Sequence, residues 1–150
     1  MTIRWNDTNE NQRQITEVID KYSKEVVEHW LSPRNFQQLE LPDGHARVTG
    51  SCGDTIEIFI RVADGGISEA SFMTDGCVTS IVSASMAVEL ATGKSITDAR
   101  HITQEDILEA LNGLPEEDEH CALLAANTLR SAVEDYVNAV SEGWSQRKHK

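Results

Sequence analysis

The sequence predicts a single α+β domain in which helices pack on one face of a small three-stranded antiparallel sheet. Apolar residues recur at helical spacing in the first part of the chain, alternate at strand spacing in the middle, and return to helical spacing afterwards. Strands and helices therefore do not alternate as βαβ units, which argues against a parallel sheet. At 150 residues the chain is long enough to bury a core of its own.

The first predicted element is a helix over residues 15–31. Apolar side chains follow one another there at steps of three and four residues, which places them on one face of a helix. Pro33 disfavours helical geometry at the residue before it, so the helix is expected to end near Leu31. Residues 1–14 are polar, and we expect them to form a flexible N-terminus outside the domain.

The middle of the chain predicts three strands. Residues 55–62 carry isoleucine or valine at every second position, which is typical of a strand with one buried face. The turn sequence Asp64-Gly65-Gly66 follows and indicates a hairpin, so residues 67–73 should return antiparallel. Residues 45–50 can supply a third strand, which makes the sheet a meander.

Helical periodicity returns after the sheet. Residues 78–90 predict a helix, and Gly93 is expected to cap its C-terminus in the left-handed conformation. Thr103 is the predicted N-cap of a short helix, which Gly113 and Pro115 end. The same proline and the three acids that follow it are expected to begin the last helix, because acids in a first turn favour the helix dipole.

The elements predict one domain over residues 15–140, with no internal repeat and no linker. The chain closes with a cluster of basic residues after a strongly acidic body. We expect residues 141–150 to form a frayed basic C-terminus, since chain ends without packing partners lose order.

The overall charge is strongly negative, −12 with a pI near 4.7. Such a surface repels phosphate backbones, which argues against nucleic-acid binding, and it suits docking on a basic patch of a protein partner. No apolar stretch approaches the ~20 residues that cross a membrane. The polar N-terminus lacks the apolar core of a signal peptide, so we expect a cytoplasmic location without membrane association.

Three cysteines stand where predicted elements begin or end. Cys52 lies in a glycine-flanked loop before a strand, Cys77 lies between a strand and a helix, and Cys121 lies in the opening turns of the last helix. An odd number of cysteines argues against a disulfide framework. A helix N-terminus favours a thiolate, so we expect the helix dipole to favour ionisation of Cys77 and Cys121.

The residues alone leave the role of these cysteines open. A single cysteine is as readily a small buried apolar side chain as a ligand, although the Gly-rich loop of Cys52 is not typical of a core. The spacing of the three matches no compact zinc pattern. The sequence pattern therefore predicts only a candidate three-cysteine site, with Asp54 or His120 as a fourth ligand.

A series of short motifs extends from residue 21 to residue 136. In this order and spacing they make the chain similar to the IscU/NifU N-terminal family of iron–sulfur cluster assembly scaffold proteins. The motifs are Val27-Glu28-His29, Pro33-Arg34-Asn35, Pro42-Asp43-Gly44-His45-Ala46, Gly50-Ser51-Cys52-Gly53-Asp54, Thr74-Asp75-Gly76-Cys77, Ser80-Ile81-Val82-Ser83-Ala84-Ser85-Met86, Gly93-Lys94-Ser95, Leu111-Asn112-Gly113-Leu114-Pro115 and His120-Cys121-Ala122.

The resemblance implies a carrier rather than an enzyme. It assigns the three cysteine ligands to Cys52, Cys77 and Cys121, and the neighbouring ligand positions to Asp54 and His120. Family members accept sulfur from a cysteine desulfurase, acquire iron, and hold a labile [2Fe–2S] cluster for transfer to apo-proteins. Thiolates suit such a cluster, whereas a carboxylate is a harder donor, so we expect Asp54 to make the cluster labile. We expect Cys121 to accept the persulfide.

Three further expectations accompany this assignment. The same ligands suit Zn²⁺, so the alternative is a zinc-binding sulfur acceptor that activates the desulfurase. Binding of an Hsp70-type chaperone is doubtful, because Leu114-Pro115-Glu116-Glu117-Asp118 replaces the family's Leu-Pro-Pro-Val-Lys. A homodimer is compatible with the sequence. A thiol enzyme is disfavoured, since neighbours such as His120 and Cys121 point roughly 100° apart on a helix.

Overall fold

The computed structural model describes the backbone of residues 22–147 and the side chains of residues 22–141. Within these residues the elements follow the order helix, three strands, then helices. They are α1 (Lys24–Leu31), β1 (Gly44–Thr49), β2 (Thr55–Ala63), β3 (Gly66–Thr74), α2 (Val78–Ala91), α3 (Ile96–Ala99), α4 (Gln104–Ala110), a 3₁₀ turn (Glu116–Asp118) and α5 (Glu119–Arg147).

The sheet is the antiparallel meander predicted from the sequence, in the order β1-β2-β3. Asp64 and Gly65 form the hairpin turn between β2 and β3, both with positive φ (54° and 77°). Two successive left-handed residues are what a tight two-residue hairpin requires, which explains the Asp-Gly pair. The register shifts once, between Arg61 and Val62.

One face of the sheet forms the core beneath α2 and α5. The alternating isoleucines of β2, Ile56, Ile58 and Ile60, are fully buried there. Leu129 and Val133 of α5 are also fully buried in this cluster. The other face carries polar residues such as Glu57 and a stack of the His45 and Phe59 rings. The predicted α+β class, with helices on one face, is therefore confirmed.

The first helix begins later than predicted. Ser23 is extended, and its hydroxyl caps α1 by accepting a hydrogen bond from the Val26 amide. The same hydroxyl donates to the carbonyl of Leu111, far along the chain. The predicted continuous helix is therefore wrong at residues 22–23, because a tertiary hydrogen bond fixes the serine as a cap. The predicted helical residues 15–21 and the predicted flexible residues 1–14 lie outside the described residues.

The later helices follow the sequence pattern with two differences. Gly93 has φ +90° after α2 and Thr103 is the N-cap of α4, both as predicted, and Asp106 completes a capping box with Thr103. The short helix α3 was not predicted; Ser95 caps it. The three acids after Pro115 form the 3₁₀ turn, and the α-helix begins at Glu119. Helix α5 continues to residue 147, so the domain boundary at residue 140 stays a prediction.

None of the helices within residues 22–147 combines the length and the apolar character needed to cross a bilayer.

Candidate metal centre

Asp54, Cys77 and Cys121 meet at one end of the sheet. Their ligand atoms, one carboxylate oxygen and two sulfurs, all lie within 4.8 Å of one another. Asp54 directly precedes β2, Cys77 is the N-cap of α2, and Cys121 lies in the first turn of α5. The sequence placed these side chains at element ends, and the topology brings those ends together.

Two hydroxyls in the first turn of α2 link the three ligand atoms. Thr79 Oγ1 lies 3.2 Å from Cys77 Sγ and 3.3 Å from Cys121 Sγ. Ser80 Oγ donates to Asp54 Oδ2 at 2.6 Å and lies 3.7 Å from Cys121 Sγ. Sequence reasoning missed both residues. The one signal was their position two and three residues after a helix-capping cysteine.

Gly76 provides the space for this arrangement. A Cβ atom on Gly76 would lie 2.7 Å from the Ser80 side chain and 2.9 Å from Asp54 Oδ2, closer than atoms can approach. The loop around Gly76 is also tied to its surroundings. The Gly76 amide donates to Thr74 Oγ1, and Asp75 Oδ1 accepts from the Thr55 amide at the start of β2. The glycine is therefore required by close packing at the site.

The environment of Cys121 opposes ionisation of its thiol. Cys121 is buried, and this burial raises the pKa of the thiol; the nearby Cys77 and Cys52 raise it further. Hydrogen bonds from Thr79 and Ser80 lower the pKa in part. The expectation that the helix N-terminus leaves Cys121 readily ionised is therefore not met, because desolvation outweighs the favourable contacts.

Cys52 lies outside the group of three. It is exposed in the turn before β2, where Gly53 adopts a φ of +91°. Hydrogen bonds from the Gly50 amide to the Asp54 carbonyl and from the Gly53 amide to the Gly50 carbonyl close this turn. Cys52 is near enough to affect the pKa of Cys121. The structure thus places Cys52 at the rim of the site.

His120 is closer to Cys121 than the sequence suggested. His120 Nε2 lies 3.6 Å from Cys121 Sγ, although neither nitrogen of the ring belongs to the group of three ligand atoms. The prediction that the two side chains point apart is therefore wrong, because the imidazole is long enough to reach the neighbouring sulfur. A thiol enzyme is still disfavoured, since Cys121 is buried and its pKa is raised.

The sequence profile of the NifU-like N terminal domain matches residues 21–142. The chain belongs to this family. A relative from Archaeoglobus fulgidus, named iron–sulfur cluster assembly scaffold protein IscU 1, is 44% identical over 116 residues, which cover 77% of this chain and 76% of the relative. The protein named iron–sulfur cluster assembly scaffold protein IscU from Haemophilus influenzae is 38% identical over 121 residues, which cover 77% of this chain and 94% of that relative.

A solved structure shares the fold of this NifU-like domain. The N-terminal part of a nitrogen-fixing NifU-like protein from Brucella abortus matches with a TM-score of 0.62 at 19% identity. The match covers 79% of this chain and 96% of that one. The family resemblance predicted from the sequence motifs is confirmed.

The donor set of the NifU-like domain suits a thiophilic metal. Two cysteine sulfurs and one carboxylate oxygen are ligands that both Zn²⁺ and iron–sulfur clusters accept. The carboxylate is the hardest donor of the three, so it is expected to be the most readily exchanged by an iron–sulfide unit. The donor set is therefore one that could hold a metal ion, and the carboxylate is its hardest member.

Proposed function

We propose that this NifU-like domain is a scaffold on which an iron–sulfur cluster is assembled and from which it is transferred. The observation that carries the proposal is the convergence of Cys77, Cys121 and Asp54 within 4.8 Å. Support comes from relatives that bear the name of scaffold proteins and align over about three-quarters of the chain. The role is that of a carrier, and we assign no catalytic residue.

The ligand set we propose for a [2Fe–2S] cluster is Cys52, Cys77, Cys121 and either Asp54 or His120. Cys77 and Cys121 are held by helices, whereas Cys52 is exposed on the turn before β2 at the rim of the site. A cluster with one oxygen ligand exchanges faster than one with four thiolates, because iron–sulfide prefers soft donors. A protein that transfers its cluster to another protein needs the cluster to be released readily.

Sulfur delivery favours an exposed thiol. The attacking group in persulfide transfer is a thiolate that must reach the donor sulfur. Cys52 and Cys77 are exposed, whereas Cys121 is buried and its pKa is raised. We therefore place the first persulfide on Cys52 or Cys77 rather than on Cys121, the acceptor expected from the sequence.

The partners implied are a cysteine desulfurase that supplies sulfur and apo-proteins that receive the cluster. The charge of −12 favours docking on basic partner surfaces. We do not propose an Hsp70-type chaperone, because three acids follow Leu114-Pro115 and form a 3₁₀ turn. A cytoplasmic location and a homodimer both agree with the proposed role.

One observation favours a second candidate function. Three donor atoms within 4.8 Å are compatible with one tetrahedral ion completed by a fourth ligand. The alternative is therefore a zinc-binding sulfur acceptor that activates a desulfurase and builds no cluster.

Anaerobic reconstitution with ferrous iron, cysteine and a cysteine desulfurase tests the ligands. We expect a brown product with visible absorption and matching iron and sulfide in the wild type, and its loss in Cys77→Ala. Ser83→Ala, on the same helix, is the control and should keep the cluster. A colourless wild-type protein that instead raises desulfurase turnover only with Zn²⁺ would favour the alternative.

A further inference from the structure

The hydroxyl of Ser80 is placed to control the Asp54 carboxylate. It donates to Asp54 Oδ2 at 2.6 Å, and Cys77 Sγ lies 3.7 Å from that same oxygen. A hydroxyl that donates to a carboxylate makes a short, strong hydrogen bond. The oxygen that faces the thiols is therefore the oxygen that Ser80 holds.

The two partners differ in how firmly the chain holds them. Ser80 is fully buried in the first turn of α2, which packs in the core. Asp54 is only half-buried and lies between the Cys52 turn and β2. A carboxylate at such a position has side-chain freedom that a hydrogen bond from a rigid helix removes. Ser80 on the rigid helix therefore restrains the Asp54 carboxylate, and not the reverse.

Ser83 provides a contrast on the same helix. It is as fully buried as Ser80, yet within the described part of the chain its hydroxyl has no hydrogen-bond partner. The bond from Ser80 to Asp54 is therefore a specific contact, since burial alone does not give a serine of this helix a partner.

We propose that Ser80 is a positioning residue that holds Asp54 toward Cys77 and Cys121, and so sets the affinity of the site for a divalent metal ion. The inference rests on the proposed function, since it takes these three residues to be ligands. Groups that orient a ligand from behind change metal affinity by about 10- to 100-fold when removed. Ser80 acts through Asp54 and is not itself a ligand.

Cobalt provides a probe that does not depend on cluster assembly. Co²⁺ bound by cysteine sulfur gives thiolate-to-metal absorption, which can be titrated in competition with a chelator. We expect Ser80→Ala to weaken Co²⁺ binding by about 10- to 100-fold, and Ser83→Ala to leave it unchanged. In an Asp54→Ala background, Ser80→Ala should weaken binding by a clearly smaller factor than in the wild type, because the contact through Asp54 is gone and only the 3.7 Å approach of Ser80 Oγ to Cys121 Sγ is left.

Several outcomes would overturn the inference. Unchanged Co²⁺ affinity in Ser80→Ala overturns it and leaves the scaffold role intact. An equal loss with and without Asp54 shows that Ser80 acts through Cys121 or through packing, and overturns the inference. Absence of thiolate absorption in the wild type overturns both proposals. If Ser80→Ala does not fold, the hydroxyl proton of Ser80 in the wild type decides: a proton donated to a carboxylate is deshielded, so its NMR signal should move upfield in Asp54→Ala, and an unchanged shift overturns the inference.

Discussion

Asp54 combines two properties that matter for a site that must both bind metal ions and release a finished cluster. It is the one oxygen donor among the three converging ligands, and it is held by Ser80. A carboxylate is well suited to a free divalent ion and poorly suited to iron–sulfide. Asp54 is therefore expected to strengthen capture of the ion and to weaken retention of the finished cluster.

Replacement of Asp54 tests whether this carboxylate weakens retention of the cluster. In Asp54→Ala we expect the reconstituted cluster to survive a chelator challenge severalfold longer, because His120, whose Nε2 lies 3.6 Å from Cys121 Sγ, can take the vacated position. The decay of visible absorption after chelator addition measures the lifetime. Asp54→Asn, which keeps a weak oxygen donor, should be intermediate. A cluster that decays faster in Asp54→Ala than in the wild type contradicts the assignment.

The sequence predicted some of these residues better than others. Cys77 and Cys121 could be named because cysteines stand at element ends inside the family-like motifs, and Asp54 could be named because it follows Cys52 in one of those motifs. Their hydroxyl neighbours Thr79 and Ser80 could not, since buried serine and threonine are common in helices and the donor–acceptor pairing is tertiary. The raised pKa of Cys121 could not be predicted either, because the sequence shows that a helix begins nearby but does not show that the Cys121 side chain is buried.

The close contact between α5 and β1 depends on a glycine. A Cβ atom on Gly44 would lie 2.4 Å from the carbonyl oxygen of Ala132 in α5 and 3.0 Å from Ile60. Neither the backbone carbonyl nor the buried isoleucine can move freely. Helix α5 also carries Cys121, so this contact holds against β1 the helix on which that ligand lies.

Gly44→Ala should therefore destabilise the fold by about 1–3 kcal/mol, the usual cost of overpacking a core. Urea unfolding followed by circular dichroism measures the change. Gly50→Ala is the matched control: the nearest atoms to its new Cβ belong to the Leu124 side chain, at 3.2 Å, and none is backbone, so a smaller effect is expected. Equal stability of Gly44→Ala and the wild type would refute the close contact.

The elements themselves were predictable where the sequence pattern was long enough. Strand β2 was found because apolar alternation over eight residues does not fit a helix, and β3 was found because the turn Asp64-Gly65-Gly66 precedes it. Helix α3, one turn at Ile96–Ala99, was missed because a single turn shows no period. The start of α1 was misplaced because the hydrogen bond from Ser23 to the Leu111 carbonyl lies outside any local pattern.

At the scale of the whole molecule, stability should depend on pH through a buried histidine. His29 belongs to α1 and its ring faces α2, where Nδ1 is 2.7 Å from Ser85 Oγ and Nε2 is 3.3 Å from Glu89. Ser85 Oγ also accepts from the Arg34 amide, so its own proton is free to go to Nδ1. Burial lowers the pKa of His29 below its ordinary 6.5, more than Glu89 raises it.

The direction of the pH effect follows from proton binding. Between the lowered pKa and 6.5 the unfolded chain binds more protons at His29 than the folded chain does. The stabilisation is therefore complete above about pH 6.5 and is lost as the pH falls below that value. The free energy of unfolding, measured in urea at pH 7.5 and pH 6, should fall less in His29→Gln than in the wild type.

His101→Gln is the control for the pH experiment, because His101 is an exposed histidine whose ring bonds to the Thr97 carbonyl in α3. It should keep the wild-type pH dependence. An identical pH dependence in His29→Gln and the wild type would show that His29 does not couple protonation to folding.

Transfer of a cluster from this protein to an acceptor is the step that distinguishes a scaffold from a protein that only binds metal. The wild-type protein is reconstituted, separated from free iron and sulfide, and mixed with an apo-ferredoxin while the circular dichroism of the acceptor is followed. We expect stoichiometric filling of the ferredoxin, faster than with the same amounts of free iron and sulfide, and no filling from Cys77→Ala carried through the same steps. Filling no faster than from free iron and sulfide would contradict the scaffold role.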